Sequence, residues 1–148
     1  MDAGLSLLCD GLQQCSTLFH LNLAKNDLTQ TGMERFGPIL SHSGIKELDL
    51  SLNPLGNGGV RILAENLWDS KNIHDDDSAI GESFPTEVYE AVQARGKRCN
   101  LIKLDLSETK IQEVGAFNLC KLLLEFYKIE HLTLEYNYFE VQKMPTFT

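Results

Sequence analysis

Leucines recur along this chain in a pattern that neither a lone helix nor a lone strand explains. Leu18-Phe-His-Leu21-Asn-Leu23-Ala-Lys-Asn26-Asp-Leu28 alternates apolar and polar positions, then turns at an asparagine. The same arrangement returns at Ile45-Lys-Glu-Leu48-Asp-Leu50-Ser-Leu-Asn53-Pro-Leu55 and at Ile129-Glu-His-Leu132-Thr-Leu134-Glu-Tyr-Asn137-Tyr-Phe139. A further copy, Leu101-Ile-Lys-Leu104-Asp-Leu106-Ser-Glu-Thr109-Lys-Ile111, carries threonine at the asparagine position. Alternation with period two predicts a short, half-buried strand in each copy. The second leucines stand at 21, 48, 104 and 132, so the steps are 27, 56 and 28, and 56 reads as two periods of 28.

A helical half-pattern runs in phase with the strands. Gly4, Gly32, Gly59 and Gly115 each open a segment with apolar residues four and eight positions later: Leu8 and Leu12, Phe36 and Leu40, Leu63 and Leu67, Leu119 and Leu123. That spacing places each pair on one helical stripe. Every unit is thus predicted to be a strand, a turn and a helix of two to three turns. One unit cannot bury its apolar face alone, and stacked neighbours share one core. Asn26, Asn53 and Asn137 are expected to bond turn backbone in a ladder, with Thr109 a shorter substitute.

Four in-phase copies resemble the leucine-rich-repeat family, and the period with its glycine-opened helix is similar to the ribonuclease-inhibitor-like subclass. The resemblance covers residues 4–67 and 97–139. It implies an α/β fold, a right-handed solenoid or horseshoe with short parallel strands on the concave face and helices on the convex face. It also implies a protein-binding module. A related member, the Ran GTPase-activating protein, suggests the alternative of a regulator of a small GTPase. That role needs a group completing phosphoryl-transfer chemistry. Arg35, Arg61 and Arg95 fall on expected helices and Arg98 in a linker, so none lies on the strand face.

Residues 1–148 are read as one domain of about five units, broken at 69–100. One period after Leu48 lies Asp76, in an acidic run that a buried leucine position cannot hold cheaply. The stretch is either a degenerate repeat or a plain insertion, with an acidic loop at about 70–84. The following half, with Thr86 as N-cap, Val88, Ala91 and Val92 on one side and Gly96 as a stop, favours the degenerate repeat. The chain opens on a helical half-unit and closes just after a strand. It therefore reads as a fragment or isoform of a longer protein, or as a solenoid whose ends partners cover.

Charge narrows the partners. Thirteen Lys and Arg against 21 Asp and Glu give −8, which disfavours nucleic acid and anionic membrane and suits a protein with a basic surface. Gly56-Asn-Gly58 opens a helix, but the third glycine of a dinucleotide-binding fingerprint is replaced by Arg61. The carboxylates at 75–77 lack the alternating spacing of a calcium loop. His20, His42, His74 and His131 form no metal-ligand motif, so no cofactor, metal or small-molecule substrate is expected. Cys9, Cys15, Cys99 and Cys120 make no Cys-x-x-Cys pair and are expected to be reduced and mostly buried. With no basic, apolar leader at the N-terminus, a cytoplasmic place is expected, in a signalling, cytoskeletal or ciliary assembly.

The residues between the inward leucines define the expected partner-binding face. They are His20 and Asn22, Glu47 and Asp49, Lys103 and Asp105, His131 and Thr133, with Glu135 and Tyr136 beyond the last strand. Asp49, Asp105 and Glu135 suggest an acidic stripe, and Tyr136 and Tyr138 are the candidate anchors.

Overall fold

The computed structural model describes residues 2–67, 100–125 and 129–139. In chain order these form α1 (Asp2–Leu12), β1 (His20–Asn22), α2 (Gln30–Leu40), β2 (Glu47–Asp49), α3 (Gly56–Leu67), β3 (Lys103–Asp105), α4 (Glu113–Glu125) and β4 (His131–Thr133). The strands make one parallel sheet in the order β1-β2-β3-β4. Leu21 pairs with Leu48, Leu48 with Leu104, and Leu104 with Leu132. The helices pack in the same sequence, each on the next. Readings of 69–100 as degenerate repeat or insertion, with its acidic loop, Thr86 cap and Gly96 stop, fall outside the described residues except for Asn100.

Parallel pairing needs a long crossover, which the helices supply. Strand leucines and helix residues enter one core: Leu48, Leu50, Leu104 and Leu106 from the sheet side, and Met33, Phe36, Leu40, Leu63 and Leu67 from the helices. Each buried side chain of this size contributes roughly 1.5–3 kcal/mol. The expected stripes hold in α2 and α3 but not throughout. In α1 the buried residues are Leu5, Cys9 and Leu12, while Leu8 is exposed, as is Leu123 in α4. Each successive residue rotates about 100° around a helix, so positions three and four apart share the buried face. Cys9 is buried, but Cys15 and Cys120 are exposed, which corrects the expectation of mostly buried thiols; all three are free.

Hydrogen bonds extend the sheet past its three-residue strands. Leu23 N donates to Asp49 O at 2.8 Å, Leu50 N to Asp105 O at 3.0 Å, and Leu106 N to Thr133 O at 2.9 Å. At the entry edge, the carbonyl of Phe19 accepts from both Lys46 N and Glu47 N, and that of Lys46 from Ile102 N and Lys103 N. At the exit edge, Lys25, Leu52, Glu108 and Tyr136 all take positive φ, between 52° and 58°. This lets Lys25 N, Leu52 N and Glu108 N reach the next unit's carbonyls at 2.9–3.0 Å. Asp27 and Lys110 repeat the left-handed turn two residues on, at φ 51° and 62°. The equivalent Pro54 cannot adopt it, because its ring fixes φ near −65°. Gly56 takes φ +62° instead, immediately before the body of α3.

The asparagine ladder joins the units from within. Asn53 is fully buried. Its Oδ1 accepts from Asn26 N at 2.9 Å and Leu28 N at 3.0 Å, and its Nδ2 donates to Leu23 O, Leu50 O and Ser51 O. Asn137 treats the preceding turn alike, accepting from Thr109 N and Ile111 N, both at 3.0 Å. Thr109, also fully buried, is too short for this. Its hydroxyl donates to Leu106 O at 2.6 Å, and in the preceding turn Leu55 N closes locally on Asn53 O at 2.8 Å.

A second set of bonds sews helix to helix. Asp2 in the first turn of α1 accepts from Thr29 N at 3.0 Å and from the Thr29 hydroxyl at 2.6 Å, at the start of α2. Asn57 in the first turn of α3 accepts from Gln112 N at 2.8 Å and Gly115 N at 3.1 Å, at the start of α4. Each satisfies amide donors that a helix start leaves open. A Cβ at Gly32 would stand 2.5 Å from Asp2 Oδ1, and one at Gly115 2.7 Å from Asn57 Oδ1. At Gly32 and Gly115 the recurring glycine is therefore the seat of the preceding helix's capping side chain, whereas at Gly59 it faces Gln30 and Met33 of α2.

Burial pulls the Asp2 carboxyl upward, but the Thr29 hydroxyl, the amides of Thr29 and Gly32, and the amino-terminal charge outweigh it and hold it below the usual carboxylate range.

Three outcomes follow from these contacts. Asn53→Ala, which strands buried amide and carbonyl groups of two units, is expected to cost about 3 kcal/mol in urea unfolding. Leu52→Val is expected to cost about 1–2 kcal/mol, because a β-branched residue fits the left-handed region badly, whereas Leu52→Gly does not lower the urea midpoint. Asp2, with its folded pKa depressed, stabilises above its unfolded value and loses that contribution as pH falls through the folded one. Asp2→Ala should therefore lower the melting temperature at pH 7, and the gap to wild type should close well below pH 4, near the ordinary aspartate value.

Candidate functional site

Helices bury one side of the sheet, and the other side is open. Strand alternation sends His20, Asn22, Glu47, Asp49, Lys103, Asp105, His131 and Thr133 to that open side, with their leucine neighbours turned inward. Parallel register aligns them in rows. The first is His20, Glu47, Lys103, His131; the second is Asn22, Asp49, Asp105, Thr133. Six of these residues, His20, Asn22, Glu47, Asp49, Lys103 and Asp105, line a shallow pocket of about 350 Å³. The pocket lining does not include His131, Thr133, Glu135 or Tyr136, which belong to the last unit.

The rows are internally bonded. In the first, His20 Nδ1 meets Glu47 Oε2 at 3.0 Å, with the histidine largely in solvent and the glutamate half-buried. In the second, three side chains perform one local task. Asn22 Oδ1 accepts from Ala24 N, Asp49 Oδ1 from Ser51 N and Asp105 Oδ1 from Ser107 N, each at 2.9 Å. These are Asx turns, which steer the chain out of the strand. Asn22 Nδ2 also donates to Asp49 Oδ2 at 3.2 Å. The two aspartates are therefore structural as well as electrostatic, a role that the sequence reading of an acidic stripe missed. Its signal was present: Asx residues stand two positions before small residues, Ala24, Ser51 and Ser107, at the strand ends.

Beyond the strands, Glu135 is exposed and Tyr136 is 80% exposed on the left-handed exit row. Tyr138 is also exposed, and its backbone amide donates to Ile111 O at 2.8 Å. Across the strand rows and exit turns, five carboxylates (Glu47, Asp49, Asp105, Glu108, Glu135) face two ammonium groups (Lys25, Lys103). At the entry edge the Lys46 ammonium lies 5.1 Å from the Phe19 ring centre, a contact between equivalent positions of adjacent units that leucine counting does not flag.

The arginines sit elsewhere. Arg35 bonds Asp10 across α1 and α2 at 2.8 Å, and Arg61 bonds Glu65 one turn along α3 at 2.9 Å. Arg95 and Arg98 lie outside the described residues. Among the described residues, no group of three His, Cys, Asp or Glu is placed to hold a metal ion, and no helix is long and apolar enough to cross a membrane.

Comparison with known proteins agrees with this arrangement. A leucine-rich-repeat family model matches residues 14–37 and 44–64. The chain is 37% identical over 141 residues to a mouse ribonuclease inhibitor, covering 90% of this chain and 30% of the relative. It is 31% identical over 130 residues to a pig ribonuclease inhibitor, covering 83% and 28%. It is also 31% identical over 123 residues to human NACHT, LRR and PYD domains-containing protein 5, covering 80% and 10%. The chain thus spans about three-tenths of the length of the ribonuclease inhibitors it matches. Repeated strand–turn–helix units, the asparagines that bond one turn to the next and these likenesses place the chain in the leucine-rich-repeat family, with repeats of the ribonuclease-inhibitor-like kind.

Proposed function

We propose that this chain is a non-enzymatic protein-binding module that holds a partner with a basic surface on its open strand face. The observation that carries the proposal is the aligned double row of polar side chains on a sheet whose other side is sealed by helices. A curved solenoid with this sheet on its concave side offers the partner the largest continuous surface. The contact residues are His20, Asn22, Glu47, Asp49, Lys103, Asp105, His131, Thr133, Glu135 and Tyr136. Excess carboxylate steers a basic partner to the face, and Tyr136 supplies an exposed aromatic anchor at its margin. The names of the ribonuclease inhibitors add a candidate partner, a ribonuclease. Free thiols suit a cytoplasmic setting.

The Asx turns decide how to test this. Asp105→Lys removes the acceptor of Ser107 N and is expected to cost about 1 kcal/mol of stability, which would confuse a binding result. Asp49→Asn/Asp105→Asn/Glu135→Gln removes three charges and retains a side-chain carbonyl for each turn. Captured from native lysate and read by mass spectrometry, partners of the wild-type chain are expected to be lost or weakened with this variant. Their binding should also become less sensitive to salt. Circular dichroism should be unchanged. Retention of the same partners with the same salt dependence refutes the acidic face as the binding site. Titration with a pancreatic-type ribonuclease separately tests that candidate.

A further inference from the structure

We infer that residues 73–100 are a 28-residue insertion in one helix-to-strand connection, which the solenoid carries without needing. Between β2 and β3, sequence spacing and geometry disagree. Leu48 and Leu104 are 56 residues apart, yet they are direct partners in adjacent strands, like Leu21 and Leu48 at 27 or Leu104 and Leu132 at 28. The junction is sewn at every level. Leu50 N donates to Asp105 O at 3.0 Å, Leu52 N to Ser107 O at 2.9 Å and Gly56 N to Thr109 O at 2.9 Å. On the helix side, Asn57 caps α4 across 55 and 58 residues, as Asp2 caps its adjacent helix across 27. One step of the solenoid therefore consumes two periods of sequence.

The surplus can be located. Between the last buried helix leucine and the first apolar residue of the next unit stand residues 13–17 in the first connection and 41–44 in the second. The corresponding stretch after Leu67 is 68–100. Removing 28 residues from it leaves five, the length found in the first connection. Asn72-Ile73 and Asn100-Leu101 are also 28 residues apart and alike in kind. Joining Asn72 to Leu101 thus restores both the length and the character of an ordinary connection. A repeat equal in length to one period looks like a retained unit when only spacing is counted. Neighbouring strands that already touch argue for an insertion.

Excision of 73–100 and, separately, a full-length chain with the order of residues 73–100 scrambled test this. The excised chain is expected to unfold in one transition with a melting temperature no lower than wild type, since a shorter connection closes at smaller entropic cost. Amide resonances of Leu48 and Leu104 should stay within the native set. If the excised chain fails to fold but the scrambled chain melts within about 3 °C of wild type, the sequence of the segment is dispensable and the inference stands. If both chains lose cooperative unfolding, or both melt more than about 10 °C lower, the segment is a packed unit of the fold and the inference is overturned.

Discussion

The buried amide of Asn53 is the interaction on which the stacking depends. A parallel strand of three residues makes too few ladder bonds to hold a register unaided, since isolated pairs of strands are marginal even when longer. Asn53 meets turn amides of the preceding unit with one end and carbonyls of both units with the other. It fixes the turn and the rise between units with the same atoms. Leucines give the driving force, but being non-directional they would tolerate a slipped neighbour. The amide would not, because a slip strands several buried polar groups together.

Thr109 shows what a missing amide changes. The preceding turn closes on itself through Leu55 N and Asn53 O, and the fold continues because other bonds span the same junction. Among these is Asn57, reaching from α3 to two amides of α4. The solenoid is thus held by two rows of inter-unit bonds, one under the strands and one between helix starts. The glycines at 32, 59 and 115 belong to this scheme, since they let consecutive helices approach closely.

Much of this was legible in the chain. The strands and their inward leucines follow from period two, and the ladder positions follow from the recurrent asparagine. The helical stripes were less secure. Counting by four and eight from a glycine placed Leu8 and Leu123 inside, and both are exposed, because a helix buries the face its neighbours provide. The double role of Asp49 and Asp105 was hidden for another reason: an aspartate facing solvent and an aspartate capping a turn have the same letter at the same place. The 56-residue step was ambiguous because the surplus equals one repeat, and arithmetic alone cannot tell an added unit from an added loop.

The Asx turns also bear on the thermodynamics of recognition. A surface carboxylate ordinarily samples several rotamers, and a partner that immobilises it must offset that lost freedom, about 0.5–1.5 kcal/mol for a mobile side chain. At Asp49 and Asp105 one oxygen is already held by a backbone amide, so the second points in a direction set by the fold. The ordering is complete before any encounter. On the binding face proposed above, carboxylates fixed in this way would favour partners whose cations match a set geometry over partners that are merely basic, and the same bonds that end the strands would also sharpen selectivity.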